Sequence, residues 1–182
     1  MSSESLADPF FLAHRALRHE IARMSRNTAG IVVDIGCGTA PYRRLFAHTH
    51  YVGIEVASSS KFGSAKGGAD VLYDGQRLPL ADASVGNVLC NQVHEHVFEP
   101  VAFLTEVRRV LRPGGRLMMT VPFVWDEHEQ PYDFARYSSF GLGHLARKCG
   151  FEVVEVRHTL ADASLFAQLW LAYWFKVVRR NG

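Results

Sequence analysis

The chain of 182 residues has three cysteines, no long unbroken apolar run and almost no net charge, and each shortage excludes something. Cys37, Cys90 and Cys149 are too few and too far apart for a disulfide framework or a cysteine-rich zinc site, so a reducing cytoplasm is expected. The most apolar stretch, Leu165 to Val178, is interrupted by Gln168 and Lys176 and falls short of the roughly 20 residues that a bilayer crossing needs. The N-terminus lacks the basic start and apolar run of a secretory signal. A soluble protein follows as the expectation. A formal charge of +2 gives no basis for a nucleic-acid partner, and Arg43-Arg44 and Arg108-Arg109 read as solvated helix faces. Internal repeats and low-complexity tracts are also missing.

What is present is the material of one globular domain, with 48% hydrophobic and 21% charged residues. Asp8-Pro9 starts a helix whose apolar positions Phe10, Leu17, Ile21 and Met24 recur at helical spacing. Four short runs with strand length and β-branched content follow: Ile31–Ile35, Tyr51–Glu55, Asp70–Tyr73 and Val85–Asn91. Val101 to Leu111 predicts an amphipathic helix stopped by Pro113-Gly114-Gly115, and Arg116–Val121 a fifth strand. A helix over about 138–149 and a sixth strand, Phe151–Val156, complete the pattern. Strands alternating with helices predict an α/β fold, a doubly wound and mostly parallel sheet covered on both faces. The expected organisation is a single domain over 1–182, with an N-terminal helix in 1–29, a core over 30–157 and an apolar helix in 158–182. Ser58–Gly68 is the one flexible-looking stretch.

The most informative segment is "VVDIGCGTAPY", residues 32–42. Gly36 and Gly38 follow the first strand, where glycine lets the backbone turn tightly and approach a ligand with no Cβ in the way. Glu55 ends the second strand about twenty residues later, placed to accept bonds from both hydroxyls of a ribose. Together they point to an adenosine-containing cofactor. A dinucleotide site would want glycine or alanine where Pro41 stands, and Asp34 would repel a diphosphate but suit an ammonium or sulfonium. An NAD-dependent dehydrogenase is therefore disfavoured.

Asp34-Ile35-Gly36-Cys37-Gly38 resembles the first motif of the class I S-adenosylmethionine-dependent methyltransferases, of the methyltransferase type 11 kind. The resemblance continues in order through "YVGIEV", "LYDGQRLPLADASVGNVLCNQVHEHVFEP", "RRVLRPGGRLMMTVP" and "RKCGFEVVEV", covering roughly residues 30–157. It implies a sheet of order 3-2-1-4-5-7-6 with S-adenosyl-L-methionine as cofactor. Gly36 and Gly38 then correspond to the glycines under the methionine part and Glu55 to the ribose acid, with Asp34 beside them in the cofactor-binding set. Asp74 corresponds to the adenine contact, and Asn91 to the position facing the cofactor's amino group. Gly86 stands where many relatives carry an acid, which weakens that strand start. His94 and His96 flank an acid and raise a metal site, but two imidazoles so spaced need a further ligand and the resemblance already accounts for His96. No metal is expected.

After the fifth strand, "PFVWDEHEQPYDFARYSSFGL" concentrates polar and aromatic side chains where substrate groups sit on such scaffolds. Asp133, Arg136 and Tyr137 are the candidate substrate contacts, unless Asp133 and Arg136 pair to brace the loop. His128 is the candidate base, with His96 second, because histidine titrates near working pH. The expected activity is methyl transfer to a small-molecule or glycan-type acceptor, by O-methylation. A non-catalytic domain that binds S-adenosylmethionine is the alternative. Leu160 to Val178 reads as a helix apolar nearly all round, which must be covered. The seventh strand is therefore expected to be missing, and the helix to meet a partner copy in a homodimer, a lipid-like acceptor or a membrane surface.

Overall fold

A computed structural model describes residues 8–57 and 68–178, so of the stretch Ser58–Gly68 all but Gly68 lies outside the described residues. The chain divides into two compact units, Met1–Arg26 with Val156–Gly182, and Asn27–Glu155.

The larger unit is built on five parallel strands in the order β3-β2-β1-β4-β5: β1 (Ile31–Ile35), β2 (His50–Val56), β3 (Val71–Tyr73), β4 (Val85–Asn91) and β5 (Leu111–Thr120). β1 and β4 are buried along almost their whole length, which is why they read as continuous apolar runs. Their side chains Val33, Ile35, Val85 and Val88 join Ile54, Leu78, Val107, Val110 and Leu111 in one core cluster. α2 (Pro100–Val110) supplies Leu104, Val107 and Val110 to the buried side, with proline at its first turn where no amide donor is needed. Val101, expected on the same face, is partly exposed.

β5 begins earlier than the sequence suggests. Leu111 pairs with Val85 before the Pro113-Gly114-Gly115 excursion, and regular pairing with β4 resumes from Arg116 to Thr120. Despite Gly86, β4 starts at Val85 as expected; a Cβ at Gly86 would sit 3.1 Å from the Arg112 guanidinium. α3 (Ser139–Lys148) is capped by the Ser138 hydroxyl, which accepts from Gly141 N at 3.2 Å.

The expected sixth strand is a correction. Phe151–Val156 is not a strand among the described residues, and Val154 is 89% exposed. In the order 3-2-1-4-5-7-6 a sixth strand pairs only with the seventh. Among the described residues no strand lies beside this segment, so the β-branched residues at 153, 154 and 156 have no ladder to join there.

The smaller unit pairs α1 (Phe11–Ser25) with α4 (Ala163–Tyr173), and a π-helical turn, Trp174–Val178, extends α4. Gln168, which interrupts the apolar run in the sequence, is buried: its Nε2 donates to Pro9 O at 2.8 Å and its Oε1 accepts from Ala13 N at 2.9 Å. Phe166 and Trp170 on α4 remain 74% and 64% exposed. No helix among the described residues is long and apolar enough to cross a membrane.

Candidate functional site

Strand order reverses between β1 and β4, and ligands of open α/β sheets bind beyond the carboxyl ends of the strands at such a point. Left-handed backbone collects there. Gly36 (φ 69°), Gly38 (φ 54°) and Ala40 (φ 51°) follow β1, and Gln92 (φ 54°) follows β4. Two of these are not glycine, and such conformers cost of order 1–3 kcal/mol each, which concentrates strain where a ligand would lie. Gly36 N and Cys37 N both donate to Ile54 O, at 2.8 and 3.2 Å, closing the turn against β2. A Cβ at Gly36 would overlap Val93 Cγ2, so the loops after β1 and β4 approach too closely for any other residue.

The acids sit at the ends of adjacent strands. Glu55 is buried and tied to the glycine loop: Oε2 accepts from Gly38 N at 2.9 Å and Oε1 from Val56 N at 3.0 Å. Asp34 is buried on β1 and accepts a hydrogen bond from the Tyr51 hydroxyl. Burial pushes its carboxyl up to about 7 despite that bond, and the neighbouring Glu55 adds to the rise. Arg43 lies over the Tyr51 ring at 4.6 Å and pairs with Asp70 at 2.8 Å. Asp74 is exposed, and its Oδ1 accepts from Gln76 N and Arg77 N at 2.8 and 3.0 Å, an Asx turn after β3. Asn91 Oδ1 accepts from the Thr120 hydroxyl at 2.7 Å across β4 and β5. A glycine turn that a Cβ would block, with acceptor-only groups at two strand ends, fits a ligand that brings hydroxyls and positive charge.

A second centre lies where the segments after β4 and β5 meet. A short 3₁₀ turn, His94–His96, follows β4. The loop over 121–138 docks on it, with Phe134 N donating to Glu95 O at 2.8 Å and His96 Nδ1 bonded to Tyr132 O at 2.8 Å. Asp133, only 3% exposed at its side chain, organises the loop. It takes Arg136 Nη1 on Oδ1 at 2.6 Å and Nη2 on Oδ2 at 2.7 Å, and His128 N on Oδ2 at 3.0 Å. His128 Nδ1 is 3.1 Å from the same oxygen. The Arg136 pairing is the main reason the Asp133 carboxyl is held far below its ordinary range. The two imidazoles of His96 and His128 meet edge to face, 4.9 Å between centroids.

His94 and His96 do not act together. His94 is buried between Phe103 and Tyr137, at centroid distances of 5.9 and 5.2 Å, and burial lowers its pKa to about 4, which keeps it neutral. Tyr137 is thus a packing partner of His94. Glu95 was not singled out as a site residue by the sequence; it is fully buried, and neither carboxylate oxygen has a hydrogen-bond partner. Tyr51, the Asp34 partner, was likewise missed.

Comparison with known proteins bears on the family and the fold. The family described as "Methyltransferase domain" matches residues 33–119. An O-methyltransferase (resE) of Aspergillus sclerotiorum is 32% identical over 164 residues, covering 78% of this chain and 62% of that protein. A probable S-adenosylmethionine-dependent methyltransferase of Mycolicibacterium smegmatis is 29% identical over 162 residues, covering 81% and 63%. The chain therefore spans less than two thirds of the length of either relative. Among solved structures, a SAM-dependent methyltransferase of Thermotoga maritima, described as a possible histamine N-methyltransferase, superposes with a TM-score of 0.58 at 27% identity. It covers 79% of this chain and 75% of that one.

Proposed function

The chain belongs to the class I S-adenosylmethionine-dependent methyltransferases, and from that premise we propose that it methylates a hydroxyl of a small-molecule or glycan-type acceptor. S-adenosyl-L-methionine, when bound, supplies a methyl group made electrophilic by its sulfonium. Gly36 and Gly38 let the backbone come close to the methionine part, and Glu55 takes the ribose hydroxyls while bracing Gly38. Asp34 offers negative charge to the cationic part. Asp74 and Asn91 are assigned to the adenine and amino-group contacts.

The observation that carries the acceptor side is the Asp133–His128 pair. Asp133 accepts from the His128 backbone amide and lies 3.1 Å from its Nδ1, which is bonded to Asp126 O at 3.3 Å; this fixes the ring and leaves Nε2 to take the acceptor proton. Arg136 holds Asp133 bidentate and acts through it as a positioning residue, and Tyr137 acts through its packing. His96 is the second choice for the base, since Tyr132 O engages its Nδ1 in the same way. Holding nucleophile and methyl in line supplies up to roughly 7–11 kcal/mol, and the base adds about 10²–10⁴ in rate. The O-methyltransferase name of the Aspergillus relative supports oxygen as the atom methylated.

The test is a screen of phenols, quinols and glycans with methyl-labelled cofactor, followed by His128→Ala on the acceptor found. Turnover is expected to fall by roughly 10²–10⁴ with affinity for S-adenosylhomocysteine nearly unchanged. Full activity of that variant from about pH 6 to 8 would remove His128 as base.

A further inference from the structure

Glu95, His96 and His128 each bring one ligand atom to a common point, with all three atoms within 4.8 Å of one another. We propose that these three side chains form a binding site for a divalent first-row transition metal ion, of which zinc is the type. The proposal goes beyond methyl transfer and stands whether or not His128 is the base, because it needs only the docked loop.

Glu95 carries it furthest. A carboxylate buried to 0% with both oxygens lacking a donor is costly, because water has been removed and nothing replaces it. A cation supplies what is missing. His96 Nε2 faces the same gap, 3.8 Å from Glu95 Oε1 and 4.0 Å from Glu129 Oε2. With Nδ1 committed to Tyr132 O, a neutral His96 presents only a lone pair to those two oxygens. At 3.8 Å Glu95 Oε1 and His96 Nε2 face each other without a hydrogen bond.

The two rings are also held as metal ligands usually are. Such a histidine commonly donates its second nitrogen to a carbonyl or carboxylate, which fixes the tautomer and the ring orientation. Here the carbonyl is Tyr132 O for His96 and Asp126 O for His128, whose Nδ1 also lies 3.1 Å from the Asp133 carboxylate. Nitrogen, nitrogen and oxygen donors suit zinc, iron and their neighbours more than magnesium or calcium. Charge agrees. Glu95, Glu129 and Asp133 face the cluster with Arg136, whose guanidinium is engaged by Asp133. Metal–ligand distances of about 2.0–2.2 Å need ligand atoms roughly 3–3.5 Å apart, so atoms as far apart as 4.8 Å must close by roughly 1.3–1.8 Å on binding. An ion on His128 occupies the lone pair that would take the acceptor proton, so bound zinc is expected to inhibit turnover.

The experiment titrates the whole chain, stripped with chelator, with Zn²⁺ against a chromophoric competitor, and separately with Co²⁺ followed by its visible absorption. One equivalent per chain and a cobalt spectrum typical of nitrogen and oxygen ligands are expected. His128→Ala and His96→Ala should each weaken binding by at least roughly tenfold, while His14→Gln, on a surface imidazole, leaves it unchanged. Glu95→Gln keeps the shape and should weaken it too; circular dichroism of each variant separates ligand loss from misfolding. No stoichiometric binding by the unaltered chain, or binding lost equally in His14→Gln, overturns the proposal. Metal binding without methyl transfer would count against the proposed function alone, and methyl transfer without metal binding against this site alone.

Discussion

Asp34 offers the sharpest test, because the cost of burying its carboxyl and its proposed role beside the cofactor predict opposite pH slopes. In the folded chain it titrates at about 7, against 3.8 for an ordinary aspartate, chiefly because burial strips its water. A raised acid keeps its proton in the folded state over the window in which the unfolded chain releases it. Stability therefore falls as pH rises from about 4 to 7, and above 7 the full cost is present. At 1.36 kcal/mol per pH unit that cost is at most about 4 kcal/mol. Asp34→Asn keeps an acceptor for the Tyr51 hydroxyl and removes the charge. Its urea midpoint should gain on the unaltered chain between about pH 5.5 and 8, by about 2 kcal/mol in relative terms. The amide can add a constant penalty of about 1–3 kcal/mol for its unpaired hydrogens, so the difference between the two pH values is the quantity that decides. Binding should run the other way. A ligand bringing an ammonium or sulfonium favours the ionised acid, so calorimetry of S-adenosylmethionine in two buffers should show proton release near pH 6.5, absent in Asp34→Asn. A stability difference that does not change with pH would refute the burial reasoning. Equal proton release in both proteins would refute the placement of Asp34 beside the cofactor's charge.

Other outcomes follow from the glycine loop. Gly36→Ala meets Val93 Cγ2 and a φ of 69°, so thermal unfolding should show a loss of roughly 1–3 kcal/mol, part of it recovered by Val93→Ala. Full recovery would mean that backbone strain contributes nothing. Glu55→Ala removes the acceptor for Gly38 N and the assigned ribose contact, and calorimetry should find S-adenosylhomocysteine bound at least roughly tenfold more weakly; unchanged affinity in a folded variant would remove Glu55 from the site.

Where local pattern decides structure, the sequence was legible. β4 was placed at Val85–Asn91 to the residue, and β1 likewise, because strands buried on both faces write themselves as apolar runs. Gly36 and Gly38 were legible because a close turn leaves glycine as the residue that fits. Where a residue's meaning depends on a distant partner, sequence reading failed. Phe151–Val156 has strand composition, but a strand exists only against a neighbour. Gln168 looked like a break in an apolar helix and instead satisfies Pro9 O and Ala13 N, more than 150 residues away. Tyr51 was invisible as the partner of Asp34 because the β1–β2 register, Val32 opposite Tyr51, is needed to bring the hydroxyl beside that acid.

Glu95 shows the same limit at the centre of the site. In the sequence it is an acid between two histidines, and nothing local distinguishes it from a solvated turn. The fold buries it under a loop about thirty residues downstream, and Asp133 in that loop is the natural comparison. Both carboxyls lie in one cluster, yet their surroundings drive them apart. Asp133 has a bidentate guanidinium and a backbone amide, which hold it ionised, whereas burial lifts Glu95 to about 7. Carboxyls separated in this way tend to divide roles. Asp133, with its bonds made, serves as the brace that aims His128. Glu95, with its bonds unmade, is the group through which a ligand can act on this cluster.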